Sequence, residues 1–188
     1  FPATGLYPDI GTLFIRDSWR DDAVAAMFRC GPFGGYTLNK FRNDNSFSYI
    51  NVAHDDPDAN SFILFSGSKS LAETDRYSKS KKSANYNTIL VNGIGQEASG
   101  RSEGGVWTQP ATGKTDMTTM AYLTAWKQTA GITVIEGEAA GSYLALKDAR
   151  RGASRPALER FRRTFIWVEG KYVLVLDDMR APSEVSYD

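Results

Sequence analysis

Residues 165–176, FIWVEGKYVLVL, hold two β-branched and aromatic runs divided only by Glu169-Gly170-Lys171. So short a polar break leaves room for a tight reversal, which predicts an antiparallel hairpin. Runs of the same kind recur along the chain: GTLFIRDSW, DAVAAMFRCG, SFILFSG, NTILVNG, AYLTAWKQT, ITVIEGEA, RRTFIWVEG and KYVLVLDDM. Each is bounded by turn-forming residues and is rich in strand formers, so each predicts a strand. The pattern as a whole predicts an all-β fold, an antiparallel multi-stranded β-sandwich. NGIG, directly after NTILV, predicts a turn. In ITVI, apolar side chains fall on both faces of the strand, which predicts a stack with both faces covered.

Helical signal is weak. ALKDARRGASRPALERF carries charges at helical spacing, but Gly152 and Pro156 interrupt it, so a surface loop is expected. Residues 66–86 form a long polar stretch with a Lys/Ser cluster, read either as a solvated excursion or as a functional loop such as a lid. With 188 residues and no internal repeat, the chain is expected to be one domain, residues 1–188. It begins within an irregular segment and stops just after a strand-like run, which reads as a piece cut from something longer.

Lys plus Arg equals Asp plus Glu at 22 each, so no global field points to nucleic acid or a membrane surface. Any anionic partner must be bound locally. The single cysteine, Cys30, excludes an internal disulfide and a clustered-thiolate zinc site, and its strand-like flank predicts a buried structural thiol.

Several motifs imitate chemistry and fail. TGKT at 112–115 lacks the first glycine of a phosphate-binding loop, since Thr108 stands there. Ser66-Gly-Ser-Lys69 follows a strand rather than opening a helix. The Asp56, Asp58, Asn60 spacing of a calcium loop is broken by Ser61 where glycine is needed and Gly67 where a bidentate glutamate is needed. There remains His54, the one histidine, followed by Asp55, Asp56 and Asp58. Carboxylates this near favour the imidazolium and are expected to raise its pKa. A histidine so placed can move a proton or neutralise a substrate carboxylate. It can equally be an exposed loop residue whose acidic neighbours cap a turn.

The segments GPFGGYTLNKFRNDNSFSYINVAHDDPDANSFILFSG, LAETDRYSKSKKSANYNTILVNGIGQ and GGVW together resemble the carboxy-terminal sheet domain of the heparinase II/III-like polysaccharide lyases. The likeness looks closest to the oligoalginate lyases of polysaccharide lyase family fifteen, and its most specific pieces are HDDPDANSF and NTILVNGIGQ. In that family an α/α toroid precedes a supersandwich-like β-domain and the active site lies between them. The resemblance therefore implies that this chain is the sandwich without its toroid, inactive or nearly so alone, from a bacterial cytoplasmic or periplasmic enzyme. It gives His54 the position that lines the catalytic cleft. Asp56 replaces the metal-binding histidine of the family pattern, Tyr86 replaces a second histidine, and Asp75 resembles a metal-ligand aspartate. The two replacements argue against zinc. Asp56 and Asp75 remain possible ligands of a structural divalent ion, and no cofactor is required.

The implied chemistry is β-elimination on a uronic-acid oligosaccharide or polysaccharide. His54 is the catalytic candidate; Arg42, Asn45, Tyr49 and Asn51 are candidates for binding sugar hydroxyls or carboxylates. Alginate is the leading substrate, with heparin or heparan sulfate as the alternative. Three aspartates beside His54 would repel a polyuronate unless they turn away from the cleft. From a different class comes a non-catalytic carbohydrate-binding or structural sandwich, with Trp107, Trp126 and Tyr143 as possible stacking residues.

Overall fold

The computed structural model describes residues 2–45, 54–74, 78–97, 99, 101–102, 120–143, 146–147, 154–155 and 157–188. Strands β1 (Thr4–Tyr7), β2 (Thr12–Arg16), β3 (Val24–Arg29), β4 (Ser61–Ser66) and β5 (Lys69–Ala72) form one antiparallel sheet in chain order. Two short pairs, β6 (Ser80–Lys81) with β7 (Arg101–Ser102) and β10 (Leu146–Lys147) with β11 (Ser154–Arg155), lie outside the main layers. The second large sheet contains β8 (Tyr122–Thr129), β9 (Ile132–Glu138), β12 (Arg160–Val168) and β13 (Tyr172–Arg180) in the order β13-β12-β9-β8, again antiparallel.

Alternation along β12 makes the core legible. Phe161, Arg163, Phe165 and Trp167 are buried while the residues between them are more exposed, as expected for a strand with one inward face. Leu13 and Ile15 of β2, Ala26 and Phe28 of β3, and Ile135 of β9 complete the layer between the sheets. Phe165 sits at the seam, its ring centroid 5.8 Å from Phe28 and 5.6 Å from Phe62. The two sheets thus share one core, the arrangement of a β-sandwich. The 165–176 hairpin forms as expected, with Val168 opposite Tyr172 and Gly170 at φ 61 in its turn.

Five local expectations change. A helix, α1 (Gly35–Asp44), stands where no helix is expected. Its sequence, GYTLNKFRND, is poor in strong helix formers, so propensity hides it. Tertiary bonds hold it instead. Asp9, in the β1–β2 turn, accepts from Thr37 N at 2.8 Å and Thr37 Oγ1 at 2.6 Å, and its carbonyl accepts from Tyr36 N at 2.9 Å. Inside the helix, the buried Asn39 amide donates to Phe33 O and Gly35 O, both at 2.7 Å. Gly35 has φ 85 and packs so tightly on Asp9 that a Cβ would lie 2.5 Å from its carboxylate.

NTILV is not a ladder strand. Its backbone meets the chain end, with Leu90 N donating to Asp188 O at 2.8 Å and Asp188 N to Leu90 O at 3.1 Å, while NGIG does form the expected turn. Residues 66–86 are not one long loop, because β5 pairs with β4 and β6 follows; residues 75–77 of that stretch lie outside the described set. Within 145–161, β10 and β11 pair and β12 has already begun at Arg160. Finally, the outer face of β9 is only partly covered: Ile132 is 43% exposed and Val134 and Glu136 are half-buried, and Tyr172 and Leu174 of β13 are exposed on the same sheet.

Candidate functional site

His54 occupies an exposed turn, and the chain turns inward immediately after it: Pro57, Asp58, Ala59, Asn60 and Ser61 are all buried. Backbone bonds from Asp58 N to Asp56 O at 2.9 Å and from Ser61 N to Asp58 O at 3.0 Å tighten the loop. Asn60 adopts φ 60, a conformation asparagine tolerates better than most residues. Its side chain donates to Gly137 O at 3.2 Å and Phe161 O at 2.9 Å, linking this loop to the opposite sheet. Gly137 permits the approach, since a Cβ there would collide with Asn60 and Cys30.

The three aspartates are not a bare anionic front. Arg29 of β3 reaches Asp55 at 3.4 Å and bonds Asp58 directly, and the Lys81 ammonium of β6 lies 3.1 Å from Asp56. Burial works against the Arg29 charge, yet Asp58 and Asp55 more than offset it and leave its pKa raised. Burial also dominates at Asp58, pushing its carboxyl up to about 6 against the pull of Arg29. The acids are thus committed to structural cations that no local sequence pattern revealed.

Beneath the loop lies a polar network that joins the two most specific motifs. Ala59 N donates to Gln96 Oε1 at 3.0 Å, and Gln96 Nε2 donates back to Ala59 O at 2.8 Å. Asn87 treats Phe62 the same way, accepting from Phe62 N at 2.8 Å and donating to Phe62 O at 2.6 Å. Two side-chain amides therefore substitute for a neighbouring strand along this stretch. Arg163 holds Asp177 through two 2.7 Å bonds and donates to Asn60 O at 2.7 Å and to Asn87 O. Ser83 Oγ donates to Pro57 O at 2.8 Å and accepts from Gln96 N at 2.9 Å. His54 is consequently carried by a loop fixed at several points.

The other candidates scatter. Arg42 is buried on α1, and Asn45 is exposed at the end of that helix, its amide donating to Phe41 O at 2.7 Å. Tyr49, Asn51, Asp75 and Trp107 lie outside the described residues. Trp126 is partly exposed, whereas Tyr143 is a core residue whose hydroxyl donates to Ile89 O at 2.8 Å, so it offers no stacking face. Cys30 is buried, and burial pushes its thiol up to about 12, as suits a structural cysteine. No group of three His, Cys, Asp or Glu among the described residues is placed to hold a metal ion, and the Asp56 carboxylate already pairs with Lys81. Asp75, the other possible ligand, lies outside the described residues. Among the described residues no helix is long and apolar enough to cross a membrane.

Arg29, Lys81, Asn87 and Gln96 escaped sequence reading. The one signal within reach was that Asn87 and Gln96 bracket NTILVNGIGQ, a motif too polar at both ends for an ordinary strand.

No family model matches the sequence, and no curated protein matches it. Solved structures do match. A heparinase III gene product with methylated lysines superposes with TM-score 0.60 at 14% identity, over 98% of this chain and 23% of its own. The heparan sulfate lyase HepC from Pedobacter heparinus gives TM-score 0.56 at 14% identity, over 96% and 22% respectively. A further heparinase III gives 0.53 at 13% identity, over 96% and 23%. The shared feature is the fold: this chain has the β-sandwich found in those lyases and spans less than a quarter of their length.

Proposed function

We propose that the chain is the sandwich portion of a polysaccharide lyase acting on uronic-acid-containing glycans, with heparin and heparan sulfate as the substrate class. The supporting observation is the extent of the structural likeness, which takes in 98% of this chain against a heparinase III and 96% against a heparan sulfate lyase. A helical toroid in the same protein, as the sequence resemblance implies, would close the cleft over His54.

β-Elimination at a uronate has three requirements. The C5 carboxylate must be neutralised, the C5 proton removed, and the 4-oxygen protonated as the C4–O4 bond breaks and a C4–C5 double bond forms. The enolate dianion formed by proton loss is unstable in water, so charge stabilisation carries much of the barrier reduction. In this reading His54 neutralises the carboxylate or moves one of the two protons, a contribution of roughly 100-fold to 10,000-fold for an acid–base group. The anchored loop suits that role, because a catalytic group on a backbone fixed close by loses less freedom in the transition state. With Asp55 and Asp58 on Arg29 and Asp56 on Lys81, the loop presents much less negative charge to a polyanion than its sequence suggests. Asn45, Tyr49 and Asn51 are the proposed sugar contacts, while Arg42 is buried on α1.

Alginate is the second reading, favoured by the motifs HDDPDANSF and NTILVNGIGQ. The test is to offer heparan sulfate and alginate, separately and in competition, to the protein carrying both sandwich and toroid, following the ultraviolet absorbance of unsaturated uronate. Preferential cleavage of heparan sulfate supports the first reading, preferential cleavage of alginate the second, and cleavage of neither overturns both.

A further inference from the structure

On the outer face of the first sheet, running from the row of Arg29 toward the opposite end, three aromatic side chains face outward where apolar surface is ordinarily covered. Trp19 is 59% exposed, Tyr7 53% and Phe14 47%. They border an open trough of about 330 Å³ that is also lined by Gly5, Arg16 and Ala25. The small residues make the trough. Gly5 lies opposite Phe14 and Ala25 opposite Arg16 in the strand register, so the face is low on both sides of the β2 row. The Tyr7 ring lies across Gly5, where a Cβ would come within 3.1 Å of it, and meets Phe14 edge-on with centroids 5.8 Å apart.

Arg16 adds the charge. Its guanidinium carbon lies 4.1 Å from the centre of the Trp19 ring, and its Nε donates to Ser18 O. No carboxylate among the described residues pairs with it: Asp17 accepts from Val24 N at 3.1 Å, and Asp22 pairs with Arg20 at 3.1 Å. Contrast the hollow of about 450 Å³ lined by Arg160, Arg162 and Arg180 on the other sheet. There the guanidinium groups are matched by Asp178 at 3.1 Å, Glu138 at 3.3 Å and Glu159 at 2.7 Å. An unmatched cation beside exposed aromatic faces is the rarer combination.

We propose that the Tyr7–Phe14–Trp19 trough is a saccharide-binding subsite for acidic sugars, with ring stacking on the aromatic faces and Arg16 taking the carboxylate or sulfate. Aromatic side chains give a sugar ring a broad apolar surface at low conformational cost, and the guanidinium fork matches a planar or tetrahedral oxyanion. The Arg16 end of this surface lies away from the Arg29 row that carries the His54 loop, and the surface needs no cleavage to act. Thr12 pairs with Arg29 and Arg16 lies four residues further along β2, a separation of about 13 Å on the same sheet face.

Calorimetric titration of the 188-residue chain with heparan sulfate, alginate and neutral cello-oligosaccharides tests this. Wild type is expected to bind both acidic oligosaccharides and to prefer them to the neutral one. Trp19→Ala should weaken that binding about tenfold or more, and Arg16→Gln should abolish the preference for acidic sugars. Trp19 is exposed and Arg16 half-buried at the sheet face, so far-ultraviolet circular dichroism should confirm unchanged folding. The proposal is overturned if wild type binds none of the three, or if Trp19→Ala binds as wild type does. It is also overturned if the trough proves to be a contact between copies, seen as self-association that Trp19→Ala removes without any saccharide binding. Binding retained by the 188-residue chain carrying His54→Ala, while the same substitution abolishes cleavage in the protein with sandwich and toroid, keeps this subsite distinct from the lyase reading.

Discussion

Gln96 and Ala59 are joined through both ends of one amide, at 3.0 Å into Gln96 Oε1 and 2.8 Å from Gln96 Nε2. The same Nε2 lies 3.1 Å from Thr88 Oγ1 and 3.2 Å from Tyr143 OH, so a single buried side chain satisfies groups on three segments. Gln96→Leu leaves the Ala59 N–H and carbonyl without that partner in a site closed to water. The expected loss is about 2–4 kcal/mol by urea unfolding, well above the ordinary worth of one hydrogen bond. A loss below about 0.5 kcal/mol would show that the network is not what holds the loop.

Asn60 combines a left-handed backbone with two bonds across the sandwich. Asn60→Gly and Asn60→Ala both forfeit the bonds, but only alanine also meets the steric penalty of φ 60. Both variants should be destabilised, alanine by about 1 kcal/mol more than glycine. Equal stabilities would remove the backbone part of this explanation.

Asp58 supplies a pH signature. Burial raises its folded-state value from the ordinary 3.8 to about 6, so between those limits the folded protein keeps a proton that the unfolded chain has released. The stabilisation from this group is therefore complete below the unfolded value and is lost as pH rises through about 6. Asp58→Asn does not titrate. The stability of wild type relative to Asp58→Asn should fall with rising pH across that window, by at most about 1.4 kcal/mol per pH unit. A difference that is flat, or that grows with pH, would contradict burial as the dominant influence on Asp58.

Cys30 is buried, its Sγ 3.5 Å from both Tyr122 O and Glu138 O, and its thiol is pushed up to about 12. Iodoacetamide at neutral pH should leave the folded chain unmodified and alkylate it fully in denaturant, as read by mass spectrometry. Rapid alkylation of the folded chain would mean that the β3 end opens.

The sandwich was legible because its strands declare themselves one at a time. Phe161, Phe165 and Trp167 alternate, and the Glu169-Gly170-Lys171 break allows only a hairpin. Helix α1 was not legible, since its stability depends on Asp9, a residue 28 positions from the Thr37 it caps. NTILV looked like a strand because its side chains suit one, yet Asn87 and Gln96 turn it into a polar clamp on β4 and its approach. At the candidate site, HDDPDAN marked the loop correctly, but its electrostatics depend on Arg29 and Lys81, which the sequence places 26 or more residues from Asp55 and 25 from Asp56. Pairings at that range come from topology, and no local pattern encodes them. The trough of Tyr7, Phe14 and Trp19 was hidden for a related reason: whether an aromatic residue on a strand or on the turn beside it packs inward or faces solvent depends on which layer covers it.

The role of His54 is most directly tested by lyase activity in the protein that carries both the sandwich and its toroid. Release of unsaturated uronate from heparan sulfate, followed by ultraviolet absorbance, should fall at least about 100-fold in His54→Ala, with folding and oligosaccharide affinity preserved. Near wild-type turnover by His54→Ala would remove His54 from the chemistry and leave the loop a purely structural element.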